Sequence, residues 1–231
     1  MIDLLVRWIC GLAVLFGGPN AHVKAPTTRY HGYELNRLAI QRAKMFTVLI
    51  SNEGFGGVSR GSGVLIDESH VLTCAHVALG GNEETWVYIW PSHIYFKAHV
   101  VTASRADDLA ILEIDGLVHG LPEPVFQESH YDGEPITIMG NILGSMKWFV
   151  GYGIVSGENA RDLYTDGLVR GGDSGGPWIN EAGEIVALSD WGLESRGGDA
   201  LGISGGISAR TINRFLKDWK SPTILQILIG G

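Results

Sequence analysis

The chain has 231 residues, 45% of them hydrophobic and 18% charged, which is typical of a globular protein with one large or two small domains and excludes a disordered chain. A formal net charge of −8 without a basic stripe argues against a nucleic-acid-binding function. The two cysteines, Cys10 and Cys74, provide no disulfide framework, and neither belongs to a CxxC pair that would indicate a zinc or redox site.

The first 25 residues have the layout of a secretory signal or membrane anchor. Arg7 precedes an apolar run over residues 8–16, and the breakers Gly17, Gly18 and Pro19 follow it. The run is too short for an uninterrupted membrane-spanning helix, and an amphipathic helix packed on the domain is the alternative interpretation. The segment predicts a secreted, periplasmic or membrane-anchored protein that associates with a membrane through its N-terminus, with a cytoplasmic location as the alternative.

Residues 26–45 form a partly helical extension, because ELNRLAIQRAKM has the apolar spacing of a helix. From Phe46 onward, short β-rich segments alternate with Gly, Pro, Asp and Asn. Many short strands at regular spacing predict an all-β barrel or sandwich. The predicted strands are FTVLI, GSGVLID, HVLTCAHV, ETWVYIW, IYFKAHVVTA, LAILEI, PITIMG, KWFVGYGIVSG and GEIVALSDWG.

The C-terminal part combines a helix with an apolar tail. SARTINRFLKDW predicts a helix in which Ser208 is the N-cap. Residues 219–231 are unusually apolar for a terminus. This tail either lies frayed over part of the core, or docks as a strand or against a partner.

The stretch GGDSGGPW, Gly171–Trp178, surrounds one serine with four glycines. A hydroxyl is a poor nucleophile until a base takes its proton, and the base works best when a third group orients it. Among eight histidines only His76 lies at the end of a predicted strand, with small residues beside it. Asp108 directly precedes the apolar strand LAILEI, where a carboxylate can be partly buried and accept an imidazole N–H.

HVLTCAHV, DDLAILEI and GGDSGGPW resemble the three signature segments of the trypsin-like (chymotrypsin-fold) serine proteases, in the family's order. ITIMGNILG, GYGIVSG and YTDGLVRGGDSGGPWINEAGEIVAL resemble the bacterial HtrA/Deg branch. The resemblance covers about residues 46–218. It implies a protease domain of two six-stranded antiparallel β-barrels with a short C-terminal helix and an active site between the barrels. Because little chain follows, the PDZ domain of many HtrA enzymes is not expected.

The resemblance implies that Ser174 is the nucleophile, His76 the general base and Asp108 the group that orients the imidazole. The backbone N–H groups of Gly172 and Ser174 would form the oxyanion hole, where a side chain at Gly172 would obstruct the turn. The chemistry needs neither a metal nor a cofactor. Asp107 is set aside because the family's aspartate directly precedes Leu-Ala. Cys74 is a rival nucleophile, but its residue type is more often a buried packing residue.

The resemblance also places the specificity pocket. Its floor would be Leu168, six residues ahead of the nucleophile, and this apolar residue suggests cleavage after Val, Ala or Leu. Arg170 would favour Asp or Glu if it pointed into the pocket, and the alternative is that it faces solvent. LSDWG resembles the strand to which a substrate adds as an edge. Against the family's Ser-Trp-Gly it has one residue more, so whether Ser189 or Asp190 lies behind the triad stays open. The implied substrate-binding residues are Leu168, Ser189, Asp190, Trp191 and Gly192.

These observations predict a serine endopeptidase that cuts protein or peptide substrates through an acyl-enzyme intermediate. One alternative is a catalytically silent homologue that binds peptides or acts as a chaperone. Another is a protease that processes only its own precursor or a single partner. A membrane-associated adaptor is a further alternative that rests only on the apolar termini. The sequence does not indicate an oligomeric state.

Overall fold

The computed structural model describes residues 32–54, 57–80, 84–141, 148–194 and 200–221. The predicted signal segment over residues 1–25 and all but the first three residues of the C-terminal tail lie outside these ranges. The described part of the chain folds into two closed barrels, each with six strands paired in antiparallel fashion. The fold class predicted from the sequence is confirmed.

The first barrel has the strand order β1-β2-β3-β6-β5-β4. Its interior is apolar because alternate residues of short strands such as β3 and β6 point inward. Val48, Ile50, Leu72 and Leu112 are fully buried there. Its strands are β1 (Thr47–Gly54), β2 (Gly57–Leu65), β3 (His70–Cys74), β4 (Glu84–Ile89), β5 (Ile94–Ser104) and β6 (Leu109–Ile114).

The second barrel has the strand order β10-β11-β12-β9-β8-β7. Its core is built around the buried indole of Trp178, with Ile136, Ile138, Val155 and Leu163 packed in the same cluster. Its strands are β7 (Pro135–Gly140), β8 (Phe149–Glu158), β9 (Asp162–Thr165), β10 (Pro177–Ile179), β11 (Ile185–Glu194) and β12 (Ala200–Ser208).

Three helices accompany the barrels in the described residues: α1 (Gly32–Phe46), α2 (Ala75–Ala78) and α3 (Ala209–Lys220). Helix α1 buries Ala43 and Phe46 in a hydrophobic cluster to which both barrels contribute, so part of the predicted N-terminal extension belongs to the core. In α3, the Ser208 hydroxyl accepts a hydrogen bond from the backbone N–H of Thr211, which confirms the predicted N-cap. Within the described ranges, no helix is both long enough and apolar enough to cross a bilayer.

Strands β9, β10 and β12 were not among the predicted strands. The first two have only four and three residues. Strand β12 is rich in glycine, which normally weakens a strand prediction. Here the glycines make room for tryptophan rings, because a Cβ at Gly205 would lie 2.3 Å from the Trp191 ring and one at Gly206 would lie 2.9 Å from the Trp178 ring.

Candidate active site

His76 lies in α2, a single helical turn that begins where β3 ends. Cys74, at the N-cap position, makes no side-chain capping bond. Instead, the N–H of Ala75 donates to the Asp108 carbonyl oxygen and the N–H of His76 donates to Asp108 Oδ1, both at 2.9 Å. Asp108 therefore satisfies donors that a helix start otherwise leaves unpaired, and it fixes the backbone of His76.

The side chains of these two residues form a close pair. His76 Nδ1 lies 2.6 Å from Asp108 Oδ2. This hydrogen bond raises the pKa of His76, against the effect of burial. Burial acts to raise the pKa of Asp108, but hydrogen bonds from His76 outweigh it and lower that pKa. A proton on Nδ1 leaves Nε2 as the basic nitrogen of the ring.

Asp108 adopts a backbone conformation that is uncommon outside glycine. Its φ is +54°, in the left-handed region that aspartate and asparagine tolerate better than most residues. The conformation lets its backbone carbonyl and its carboxylate bind α2 at the same time.

Ser174 lies in a tight turn that leads into β10. The turn begins with a hydrogen bond from the Asp173 N–H to the Arg170 carbonyl oxygen at 2.9 Å, and Gly172 within it has a φ of +100°. A positive φ at the third residue is the signature of a type II turn and favours glycine there. Within the described residues, the backbone N–H groups of Gly172 and Ser174 donate to no other group.

Strand β2 of the first barrel holds this turn. Ser62 N–H donates to the Ser174 carbonyl oxygen, and the Ser62 hydroxyl donates to the Gly172 carbonyl oxygen, both at 2.8 Å. The hydroxyl also accepts from the backbone and side-chain nitrogens of Asn141. Gly175 is required next to the serine because its φ is +85° and a Cβ would lie 2.1 Å from the Ser62 carbonyl oxygen.

The Ser174 hydroxyl donates a 3.3 Å hydrogen bond to the Asp190 carbonyl oxygen. Among the described contacts it makes no hydrogen bond to His76. In unliganded active sites this bond is often long and forms fully only when substrate binds.

A β-bulge in β11 separates the roles of Ser189 and Asp190. The pairing with β12 shifts register between Ser189 and Trp191, so Asp190 is the additional residue. The Ser189 hydroxyl is buried and accepts from Trp178 Nε1 at 2.8 Å, which places its side chain in the core of the second barrel. Asp190 Oδ1 lies 4.0 Å from His76 Nδ1, so Asp190 is the residue behind the pair.

The Asp190 side chain is nearly buried and is paired with a side chain of opposite charge. Its Oδ2 is bonded to a terminal guanidinium nitrogen of Arg161. Burial, together with the negative charge of Asp108, raises the pKa of Asp190 to about 6, while Arg161 acts to lower it.

Three of the predicted substrate-binding residues, Asp190, Trp191 and Gly192, lie in the last part of β11. Strand β10 pairs with β11 only as far as Leu188, while Trp191 and Gly192 pair with β12. Leu168 is partly buried in the segment before the nucleophile turn. The guanidinium of Arg170 is exposed and lies 4.8 Å from the centre of the Phe149 ring, in the solvent-facing arrangement.

A cavity of about 260 Å³ opens beside the histidine–aspartate pair. Its walls include Leu79, Gly80 and Arg105 as well as His76. The cavity therefore gives a bound molecule direct access to the imidazole.

One group of potential metal ligands occurs in the described residues, formed by Cys74, His76, Asp108 and Asp190, with ligand atoms within 4.8 Å of one another. Burial raises the pKa of the Cys74 thiol well above its ordinary value, so the thiol stays protonated. His76 Nδ1 is already bonded to Asp108, and Asp190 to Arg161. These bonds favour an acid–base site over a metal site.

A family model described as Trypsin-like peptidase domain matches residues 61–188, which contain the His76–Asp108 pair and the turn that carries Ser174. The chain belongs to the trypsin-like peptidase family. It is 29% identical over 153 residues to the serine protease Do-like HtrB of Bacillus subtilis, covering 60% of this chain and 33% of that protein. It is 31% identical over 157 residues to a probable periplasmic serine endoprotease DegP-like of Halomonas elongata, covering 63% and 32%.

A solved structure of a serine endoprotease has a similar fold. The structure of a serine endoprotease from Yersinia pestis superposes with a TM-score of 0.69 at 25% identity, covering 79% of this chain and 65% of that one. The predicted relationship to the HtrA/Deg proteases is confirmed. The matched part spans about a third of the length of the curated relatives named above.

Three residues of the site were not singled out from the sequence: Ser62, Asn141 and Arg161. Ser62 lies in GSGVLID, whose resemblance to the strand before the histidine segment was noted, but nothing local indicates a bond to Gly172. Asn141 and Arg161 lie next to predicted strands in turn-like sequence, where polar residues are expected in any case. No pattern in the sequence could have identified them.

Proposed function

We propose that the protein is a serine endopeptidase that hydrolyses peptide bonds through an acyl-enzyme intermediate. The observation that carries the proposal is the 2.6 Å bond between His76 Nδ1 and Asp108 Oδ2, beside a serine on a glycine turn. The bond leaves Nε2 of His76 free to accept a proton. The family membership supports the same reaction.

In the first step, Ser174 Oγ attacks the substrate carbonyl carbon while His76 Nε2 takes the hydroxyl proton. The negative charge that forms on the carbonyl oxygen is stabilised by the N–H groups of Gly172 and Ser174. When the C–N bond breaks, His76 gives the proton to the leaving amine. A water then repeats the sequence on the acyl-enzyme, and the acid and free Ser174 are released.

The substrate would bind as an extended strand. We expect its backbone to add to β11 along Asp190, Trp191 and Gly192, where β10 no longer pairs. Leu168 would meet the side chain before the cut and favour Val, Ala or Leu, while Arg170 is engaged with Phe149. A peptide library should show faster cleavage after Val or Leu than after Arg or Glu. A profile dominated by charged residues would contradict the role of Leu168.

The relatives support a location outside the cytoplasm. Because a DegP-like relative is named as periplasmic, we propose a secreted or periplasmic protease that acts on protein substrates outside the cytoplasm. Cell fractionation with an antibody to the protein tests this. Recovery in the cytoplasm alone would contradict it.

A catalytically silent peptide-binding protein is the second candidate. The observation in its favour is that the Ser174 hydroxyl bonds to the Asp190 carbonyl oxygen. A protease restricted to one partner is distinguished separately, because it would leave unfolded casein intact.

The deciding experiment is treatment with a fluorophosphonate followed by peptide mapping by mass spectrometry. We expect an adduct on Ser174, no adduct in Ser174→Ala and strongly reduced labelling in His76→Ala. The matched control is His99→Ala, since His99 is exposed and 3.3 Å from Glu113 in the first barrel. If folded protein gains no adduct but binds peptides, the silent homologue is correct.

A further inference from the structure

Asp190 places a second carboxylate behind the His76–Asp108 pair, at a position that a regular strand would not provide. Its side chain is only 9% exposed. The bulge turns it toward the first barrel, while Ser189 keeps the inward position toward Trp178. The extra residue in LSDWG, Asp190, thus places a carboxylate next to His76.

The charged and titratable groups that face Asp190 come from four separate segments. His76 from α2 lies 4.0 Å from Oδ1, and Arg161 before β9 binds Oδ2. The carboxyl group of Asp108, before β6, lies within 4.8 Å. Cys74, at the end of β3, lies within 4.8 Å but stays neutral.

Two largely buried carboxylates side by side are costly unless cations offset them. Arg161 offsets Asp190 on the side away from the histidine, and it is itself bonded to Asp162 at 2.7 Å. The pKa of Asp190 is raised to about 6, so the group is mostly ionised near pH 7. Its other oxygen, Oδ1, then presents negative charge to His76 at 4.0 Å.

We infer that Asp190, anchored by Arg161, is a positioning residue that stabilises the protonated form of His76 with a second negative charge behind Asp108. The inference rests on the proposed function, in which His76 becomes charged during acylation. It assigns to Asp190 a role in the acid–base pair in addition to the substrate contact of its backbone.

The test is an NMR titration of the His76 imidazole in a Ser174→Ala background, which needs no activity. The resonance is assigned by its loss in His76→Ala. Asp190→Asn keeps the shape and removes the charge, and we expect the midpoint of His76 to fall by about 1–3 pH units, the effect of one opposite charge within about 4–6 Å. If that variant does not fold, Asp190→Ser should give a shift in the same direction.

The matched control is Glu113→Gln, which removes one carboxylate from the first barrel beside His99. It should leave the midpoint of His76 where it was. In active enzyme, Asp190→Asn should move the acid limb of kcat/KM to lower pH by the same amount. A His76 midpoint that is unchanged in folded Asp190→Asn or Asp190→Ser protein would overturn the inference, whereas an inactive enzyme with the expected NMR shift would count only against the proposed protease function.

Discussion

The hydroxyl of Ser62, in the first barrel, donates a 2.8 Å hydrogen bond to the carbonyl oxygen of Gly172, in the nucleophile turn of the second barrel. This bond sets the orientation of a peptide next to the proposed oxyanion hole. The same hydroxyl accepts from Asn141, which also donates to the Val48 carbonyl oxygen. The first barrel therefore determines the shape of the turn that presents Ser174.

Ser62→Ala is expected to loosen this turn. It leaves the Gly172 carbonyl and the Asn141 backbone N–H without their side-chain partner, which costs about 1–3 kcal/mol of unfolding free energy. We expect kcat to fall by about 10-fold or more, because misplaced oxyanion donors act mainly on the transition state. Urea denaturation and steady-state kinetics measure both effects. Ser156→Ala, at an exposed serine, is the control, and equal behaviour of the two variants would contradict the prediction.

Asp108→Asn is expected to lower kcat by about 10⁴, because an amide cannot hold the imidazole in the required tautomer. Asparagine tolerates the left-handed φ of Asp108, so the fold should survive and circular dichroism should be unchanged. Asp107→Asn is the neighbouring control. Its carboxylate is bonded to Arg214 and Ser104 at the surface, and we expect only a small change in activity. A larger loss in Asp107→Asn would reverse the assignment.

Gly175→Ala is expected to destabilise the protein by more than about 2 kcal/mol, because the new Cβ meets backbone at a strained φ. The Ser62 carbonyl oxygen would lie 2.1 Å from that Cβ and Thr73 Oγ1 2.4 Å from it. At Gly171, by contrast, a Cβ would meet nothing within 4 Å. Thermal unfolding in a Ser174→Ala background compares the two substitutions, and equal melting temperatures would show that the turn can relax.

Asp173 makes the stability of the protein depend on pH. It is fully buried, and burial raises its pKa to about 6. The unfolded chain releases this proton near pH 4 and the folded protein only near pH 6, so stability falls as the pH rises between these values. Asp173→Asn removes that dependence. The free energy of unfolding of this variant, relative to that of the wild-type protein, should rise by up to ~3 kcal/mol from pH 4 to pH 7.

Urea denaturation at both pH values, in a Ser174→Ala background, measures this difference in unfolding free energy. Asp132→Asn, at an exposed turn, controls for the loss of a carboxylate in general. A difference that stays constant with pH would show that the buried carboxyl does not titrate in this range.

The sequence predicted those parts of the fold and of the candidate site that are encoded within one short contiguous segment. Strands such as HVLTCAHV and LAILEI are short, apolar and bounded by turn residues, and the structure has both. His76, Asp108 and Ser174 could be proposed as the catalytic groups because each lies in a contiguous motif. Strand β12 was missed because its glycines are explained only by tryptophan rings from other strands.

The remaining features depend on pairs that are distant in sequence. Ser62 and Gly172 are 110 residues apart, and Arg161 and Asp190 are 29 apart. Ser189 and Asp190 could not be distinguished because a bulge reverses which side of a strand each residue faces, and the sequence does not place bulges. The position of the Asp190 carboxylate behind His76 could therefore be recognised only from the pairing of β11 with β12 in the structure.

The two barrels divide the proposed catalytic groups between them, with His76 and Asp108 in the first and Ser174 in the second. During synthesis the first barrel leaves the ribosome before the serine has been translated. An unfinished chain therefore carries the base without the nucleophile, and it cannot cleave itself or its neighbours. The proposed protease activity therefore requires translation to pass β12, because this strand is needed to close the second barrel.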